Sequence, residues 1–188
     1  MDRDGVVKTL HTRRVVLAVP PFHVRRLSIV RDWAQPLVHS LVGQQRMRIY
    51  ATLRDADDIL DESKRGKRLI TDTMLRQTIV PPAGDRIQVA YASGKFADYW
   101  SSMFMHSRQS AINALQVELQ KALRLNRKVV LTDVVEKYWS DGITSWKNGM
   151  GTRVDPCAIF HLHKTMCPNV VWSGDAVAPS ENGWINST

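Results

Sequence analysis

The segment that most restricts the fold lies at residues 109–124. Ala111, Ile112, Leu115, Leu119, Ala122 and Leu123 recur at helical spacing and form one apolar stripe. A helix with one apolar face must bury it against another element. The surrounding sequence offers mainly strands for that purpose. Residues 86–92 and 128–139 read as strands on either side of the helix, the second ending in Tyr138-Trp139. Phe96, Tyr99, Trp100 and Phe104 fall at helical spacing and predict a further helix over 95–105. Residues 13–21, Arg-Arg-Val-Val-Leu-Ala-Val-Pro-Pro, predict a buried strand stopped by two prolines. Residues 46–53 roughly alternate apolar and polar, as a half-buried strand does. Shorter strands are expected at 68–71, 75–80 and 169–173, with a turn at Pro81-Pro82-Ala83-Gly84-Asp85. The charged residues 54–68 read as an exposed loop, and Gly142 to Gly151 as another. Phe22 to Arg31 is expected to be helical in pieces. Trp33 and Leu37 anchor the chain beyond it, and Pro36 breaks any long helix. The expected class is α/β, in its α+β form: a mixed sheet with helices flanking one side.

Composition bounds the setting. The chain has 188 residues, 44% hydrophobic and 23% charged, enough to bury a core. No run of eighteen apolar residues occurs, so no transmembrane helix is expected. Met1-Asp2-Arg3-Asp4-Gly5 offers no apolar leader, and the only cysteines are Cys157 and Cys167. A cytoplasmic or otherwise intracellular setting is the expectation. The net charge of +8 concentrates in the first fifty residues. Such a balance suits a polyanionic partner, a solvated face, or an acidic partner in an assembly. No tract of five or more Lys/Arg is present, which turns the expectation away from nucleic acid.

Few motifs carry chemistry on their own. Cys157, His161, His163 and Cys167 form Cys-x3-His-x-His-x3-Cys, which matches none of the common zinc fingers, and no metal is expected. Gly149-Met150-Gly151 is a lone Gly-x-Gly with Val154 where a dinucleotide fingerprint needs glycine. No phosphate loop, nucleophile elbow or zincin motif occurs. Six tryptophans is a high count, and Trp146 and Trp184 sit in or beside glycine-containing segments unlike core helices.

Four segments, in order, carry a resemblance. They are Arg14 to Pro21; Gln88 to Trp100 (Gln-Val-Ala-Tyr-Ala-Ser-Gly-Lys-Phe-Ala-Asp-Tyr-Trp); Tyr138 to Gly149 (Tyr-Trp-Ser-Asp-Gly-Ile-Thr-Ser-Trp-Lys-Asn-Gly); and Asn169 to Asp175, followed by Asn182-Gly183-Trp184-Ile185-Asn186. Together they resemble the C-terminal half of the flavin-containing amine oxidases, the monoamine/polyamine oxidase family, in the manner of divergent members from algae and large DNA viruses.

The resemblance implies a division of the chain. Residues 1–20 and 151–188 would belong to the FAD-binding domain, and 21–150 would form the substrate domain. It implies an oxidoreductase that takes hydride from an amine to flavin N5, with a small-molecule amine as substrate. Gly174, Asp175, Gly183, Trp184 and Ile185 would lie against a non-covalent FAD, the helix beginning near Gly183 aiming its N–H groups at the cofactor. Trp146 and Trp184 would flank the substrate amine as the catalytic aromatic pair. Three departures from the family bear on this. The Gly-x-Gly-x-x-Gly half is not in the sequence, so activity of the chain alone is not expected and a separate flavin-domain polypeptide is an expected partner. Arg46, Met47 and Arg48 stand where many members place a lysine near flavin N5, with Met47 nearest in alignment. The family's Glu-Gly-Ala is replaced by Asn186-Ser187-Thr188. The alternative is a non-catalytic scaffold or binding module that keeps this fold and offers a basic face to an acidic partner.

Overall fold

The computed structural model describes residues 9–20, 23, 26, 27, 41–146 and 168–172, without the side chains of 144–146, 171 and 172. The chain divides into two compact units, residues 43–143 and a second made of 1–42 with 144–188. The fold is α+β: a five-stranded antiparallel sheet with flanking helices, as the sequence pattern implied.

The sheet of residues 43–143 is built from β2 (Leu41–Leu53), β3 (Arg68–Ile70), β4 (Gln77–Ile79), β5 (Arg86–Ser93) and β6 (Leu131–Trp146), in the order β3-β4-β5-β2-β6. Of these strands, β2 begins two residues before that unit and β6 ends three residues beyond it. Three helices accompany them: α1 (Ala56–Ile59), α2 (Lys95–His106) and α3 (Arg108–Ala122). Met47, Ile49, Ala51 and Leu53 of β2 form one core with Val89 and Ala92 of β5, Ala97 and Trp100 of α2, and Leu115 and Leu119 of α3. Both long helices therefore pack on the same face of the sheet.

Specific hydrogen bonds fix the helices to the strands. Ser107 ends α2 and opens α3. Its N–H donates to Met103 O at 2.9 Å, and its hydroxyl accepts from Ser110 N at 3.2 Å. One residue thus caps two helices and sets the corner between them. The Trp100 indole N–H donates to Met74 O at 2.8 Å. The Gln116 carbonyl accepts from Leu131 N at 2.9 Å, tying α3 to the start of β6. Arg108 spans both carboxylate oxygens of Glu136 at 2.7 and 2.8 Å and also donates to Val134 O. Tyr138 donates to Asp98 at 2.8 Å, joining β6 to α2.

The last of these bonds is testable. Burial and donation to the Asp98 carboxylate raise the Tyr138 pKa above its ordinary value. The neutral phenol is therefore the form that folding favours. Its contribution is complete below the unfolded pKa of about 10 and is lost as pH rises from there through the folded value. Tyr138→Phe should lower stability by about 1 kcal/mol at neutral pH. It should also flatten the alkaline limb of a stability–pH profile measured by urea denaturation. An unchanged alkaline limb would show that Tyr138 has no part in it.

Two expectations need correction. Residues 54–68 are not loop throughout: Ala56, Ile59 and Leu60 are buried through the short helix α1. Their i, i+3, i+4 spacing is the helical signal, hidden among Asp55, Asp57 and Asp58. Residues 142–146 are strand rather than loop, because β6 continues to Trp146. Gly142 stands where β6 runs against Arg46 of β2, and a Cβ there would lie 2.5 Å from the Arg46 Cβ. Glycine here serves close strand approach, not a turn.

In the other unit, β1 (Val15–Leu17) pairs in parallel with β7 (Val170–Trp172), register Val15 to Val170 and Leu17 to Trp172. Val170 is buried, as expected for 169–173. The burial expected of the first strand is not found: Val16 is 65% exposed. Each strand of this pair has a single hydrogen-bonded neighbour among the described residues. The helical pieces expected over 22–31, with Trp33, Pro36 and Leu37, lie essentially outside the described residues. No helix among the described residues is long and apolar enough to cross a membrane.

Candidate functional site

The face of the sheet opposite α2 and α3 gathers the unusual chemistry. Strand side chains alternate, and Met47, Ile49, Ala51 and Leu53 of β2 enter the core. Arg46, Arg48 and Tyr50 therefore stand on the other face. In β5 strict alternation is broken. Arg48 pairs with Tyr91 and Ile49 with Ala90, but Tyr50 pairs with Gln88, leaving Val89 as an extra residue. This is a β-bulge, and both Val89 and Ala90 are fully buried. Because of it, Gln88 and Tyr91, an odd number of residues apart, face the same open side.

Two guanidinium groups crowd the Tyr91 ring. The Arg48 guanidinium carbon lies 4.9 Å from the ring centroid and that of Arg46 lies 5.9 Å away. Partial burial draws the Arg48 pKa down. The hydroxyls of Tyr50 and Tyr91, as acceptors beside it, outweigh that and leave it raised, so the group is a fixed cation. The ion pairs among the described residues involve neither arginine. The Arg46 Nε is buried with no hydrogen-bond partner.

Beside this cluster lies an open groove of about 450 Å³, lined by Tyr50, Ile79, Pro81, Arg86 and Gln88. The cross-strand pairs Tyr50–Gln88 and Ile79–Gln88 place its floor on β2, β5 and β4. The Nε2 of Gln88, a lining residue, is buried and unpartnered, an unmet donor beneath the groove surface. None of the lining residues among those described is a carboxylate, histidine or cysteine. No group of three metal-ligating side chains occurs among the described residues.

The expected site residues are placed unevenly. Trp146 is the last residue of β6. Gly174, Asp175, Gly183, Trp184 and Ile185 lie outside the described residues, as do Cys157, His161, His163 and Cys167. Met47, aligned nearest to the family's lysine, is 1% exposed and belongs to the core, so the cations on the open face are its neighbours Arg46 and Arg48. The segment Gln88 to Trp100 is explained physically. Tyr91 stands on the open face, Gly94 turns the chain at φ 52°, and Ala97 and Trp100 enter the core. Sequence reasoning missed Tyr50, Arg86 and Gln88. The adjacent apolar residues Val89 and Ala90, interrupting an alternating strand, were the available signal of a bulge.

No family model matches the chain, and neither does any curated protein. Among solved structures it is similar to the crystal structure of a "Putative protoporphyrinogen oxidase" from Exiguobacterium sp. 255-15, with a TM-score of 0.60 and 14% identity over 87% of the chain. The match covers 36% of that protein, so the chain spans about a third of its length. At this identity the likeness is one of fold.

Proposed function

We propose that the chain is a portion of an FAD-dependent oxidoreductase of the flavin amine oxidase type, with the sheet face opposite α2 and α3 as a ligand-binding surface. The observation that carries this reading is the fold shared with an oxidase over 87% of the chain. The four ordered motifs from Arg14 to Asn186 support it. The parallel pairing of β1 with β7 supports it further, since both segments were assigned to the FAD-binding domain, residues 1–20 and 151–188, with 21–150 as the substrate domain.

In this reading Gly174, Asp175, Gly183, Trp184 and Ile185 contact the cofactor without a covalent bond. Bound FAD would accept hydride from the carbon next to the amine nitrogen. Trp146 and Trp184 flank that amine and shape an apolar approach. Arg48, beside Tyr50 and Tyr91, fixes a positive charge on the sheet face of residues 43–143, and the Tyr50–Ile79–Pro81 surface there can receive an apolar body.

The test is a visible absorption spectrum of the purified protein after addition of FAD and removal of free cofactor. The expected result is a retained flavin band that Trp184→Ala diminishes. A folded, colourless protein would show that the chain alone is not an enzyme; one that retains no flavin even when mixed with a flavin-domain polypeptide carrying Gly-x-Gly-x-x-Gly would remove the oxidoreductase reading and leave the scaffold module in its place.

A further inference from the structure

We propose that the groove on the open sheet face binds a small ligand carrying a carboxylate on an apolar body. As a binding site it stands on the groove alone; as a statement about substrate class it rests on the oxidoreductase reading above. Four observations lead to it.

The first is the unmet donor. Gln88 lines the groove, its Nε2 is buried with no partner, and a buried donor left unmet is costly. An acceptor-only group such as a carboxylate satisfies it. The second is charge. Arg86 lines the groove and Arg48 stands beside Tyr50, another lining residue, while no carboxylate lines the groove among the described residues. A guanidinium presents a planar fork that matches a carboxylate in shape as well as in charge. The third is preorganisation. Arg48 is stacked over Tyr91 at 4.9 Å, so its position is set before a ligand arrives. The fourth is the apolar wall. Tyr50, Ile79 and Pro81 share the same 450 Å³ space, and Ile79 is 37% exposed. A bare inorganic anion would leave that surface wet; an apolar body covers it.

These features also narrow the amine of the oxidoreductase reading. A purely cationic amine meets Arg46, Arg48 and Arg86 as like charges. An amine that also bears a carboxylate gains an anchor at one end and keeps its nitrogen free at the other.

Calorimetric titration of the full chain, without FAD, tests this. The probes are 3-phenylpropionate, its uncharged analogue 3-phenylpropanamide, and acetate, which lacks the apolar body. The expected order places 3-phenylpropionate about tenfold or more tighter than either of the others. Arg48→Gln and Arg86→Gln should each weaken 3-phenylpropionate about tenfold and leave 3-phenylpropanamide unchanged, with Arg48→Lys intermediate. Thermal unfolding of each variant, together with Tyr91→Phe as a milder change, separates loss of binding from loss of fold. Equal affinity for the carboxylate and the amide would overturn the proposal, as would acetate binding as tightly as 3-phenylpropionate. Folded arginine variants that bind like the parent would also overturn it. Flavin retention is measured separately. Loss of the flavin reading with carboxylate discrimination intact removes only that reading, and the converse removes only this one.

Discussion

Trp100→Ala should lower the stability of the protein by about 3–5 kcal/mol. Trp100 is fully buried, the largest such side chain among the described residues. It sits where α2, β5 and α3 share one core, with Ala97, Ala92 and Leu115 among its partners in that cluster. Truncation removes the indole from this space and leaves a void that flanking helices and strands fill only in part. It also orphans the Met74 carbonyl, which accepts the indole N–H at 2.8 Å. A domain is commonly stable by about 5–15 kcal/mol, so the variant approaches the unfolding threshold. Urea denaturation followed by circular dichroism measures the change. Trp100→Phe separates the two contributions: it keeps most of the volume, loses the hydrogen bond, and should cost much less. A loss below about 1 kcal/mol for Trp100→Ala would contradict the core as described.

The second large effect is expected at Gly142. Alanine there would place its Cβ 2.5 Å from the Arg46 Cβ, 2.7 Å from the Arg46 Cγ and 3.1 Å from the Trp139 Cβ. The first two contacts are too short to exist, and the nearest atom belongs to the base of a side chain, close to the backbone. The strands must part or Arg46 must turn away. Overpacking of this kind costs about 1–3 kcal/mol. Displaced Arg46 also leaves its place 5.9 Å from the Tyr91 ring, so the open face should lose order as well as stability. Gly142→Ala should therefore lower the urea midpoint and shift the Tyr91 ring resonances in the same sample. A variant with parental stability and unmoved Tyr91 signals would show that β2 and β6 do not approach as closely as described.

These positions show what was legible in the sequence and what was not. The two long helices were readable because their apolar residues repeat at helical spacing, and α2 and α3 lie within a residue or two of the expected 95–105 and 109–124. The strands β3, β4 and β5 were readable from short apolar runs bounded by Pro81 to Asp85 and by charged segments. The helix α1 was hidden, since only Ala56, Ile59 and Leu60 mark it among acidic residues. Gly142 was read as loop because a glycine marks flexibility in sequence terms. Its role depends on a partner, Arg46, nearly one hundred positions away.

The candidate site was legible only in part. Arg46, Arg48 and Tyr91 fell within segments that the sequence had already singled out. Their meeting around one ring depends on the register of β2 with β5 and on the bulge at Val89. Tyr50 and Arg86 carry no motif, and Gln88 only opens one, because a groove is a property of three strands side by side. Trp184 and its glycine-containing neighbourhood were the clearest sequence expectation for the cofactor. They lie outside the described residues, so that expectation enters the proposal on the motif alone.

The assignment of the sheet face opposite α2 and α3 as the ligand-binding surface meets its most direct test in chemical-shift mapping. Backbone and side-chain resonances of the full chain are followed as 3-phenylpropionate is added. The expected result is a cluster of shifts at Arg48, Tyr50, Ile79, Arg86, Gln88 and Tyr91, with α2 and α3 unmoved. Shifts confined to the helical side, or scattered over exposed arginines and lysines without regard to face, would contradict it.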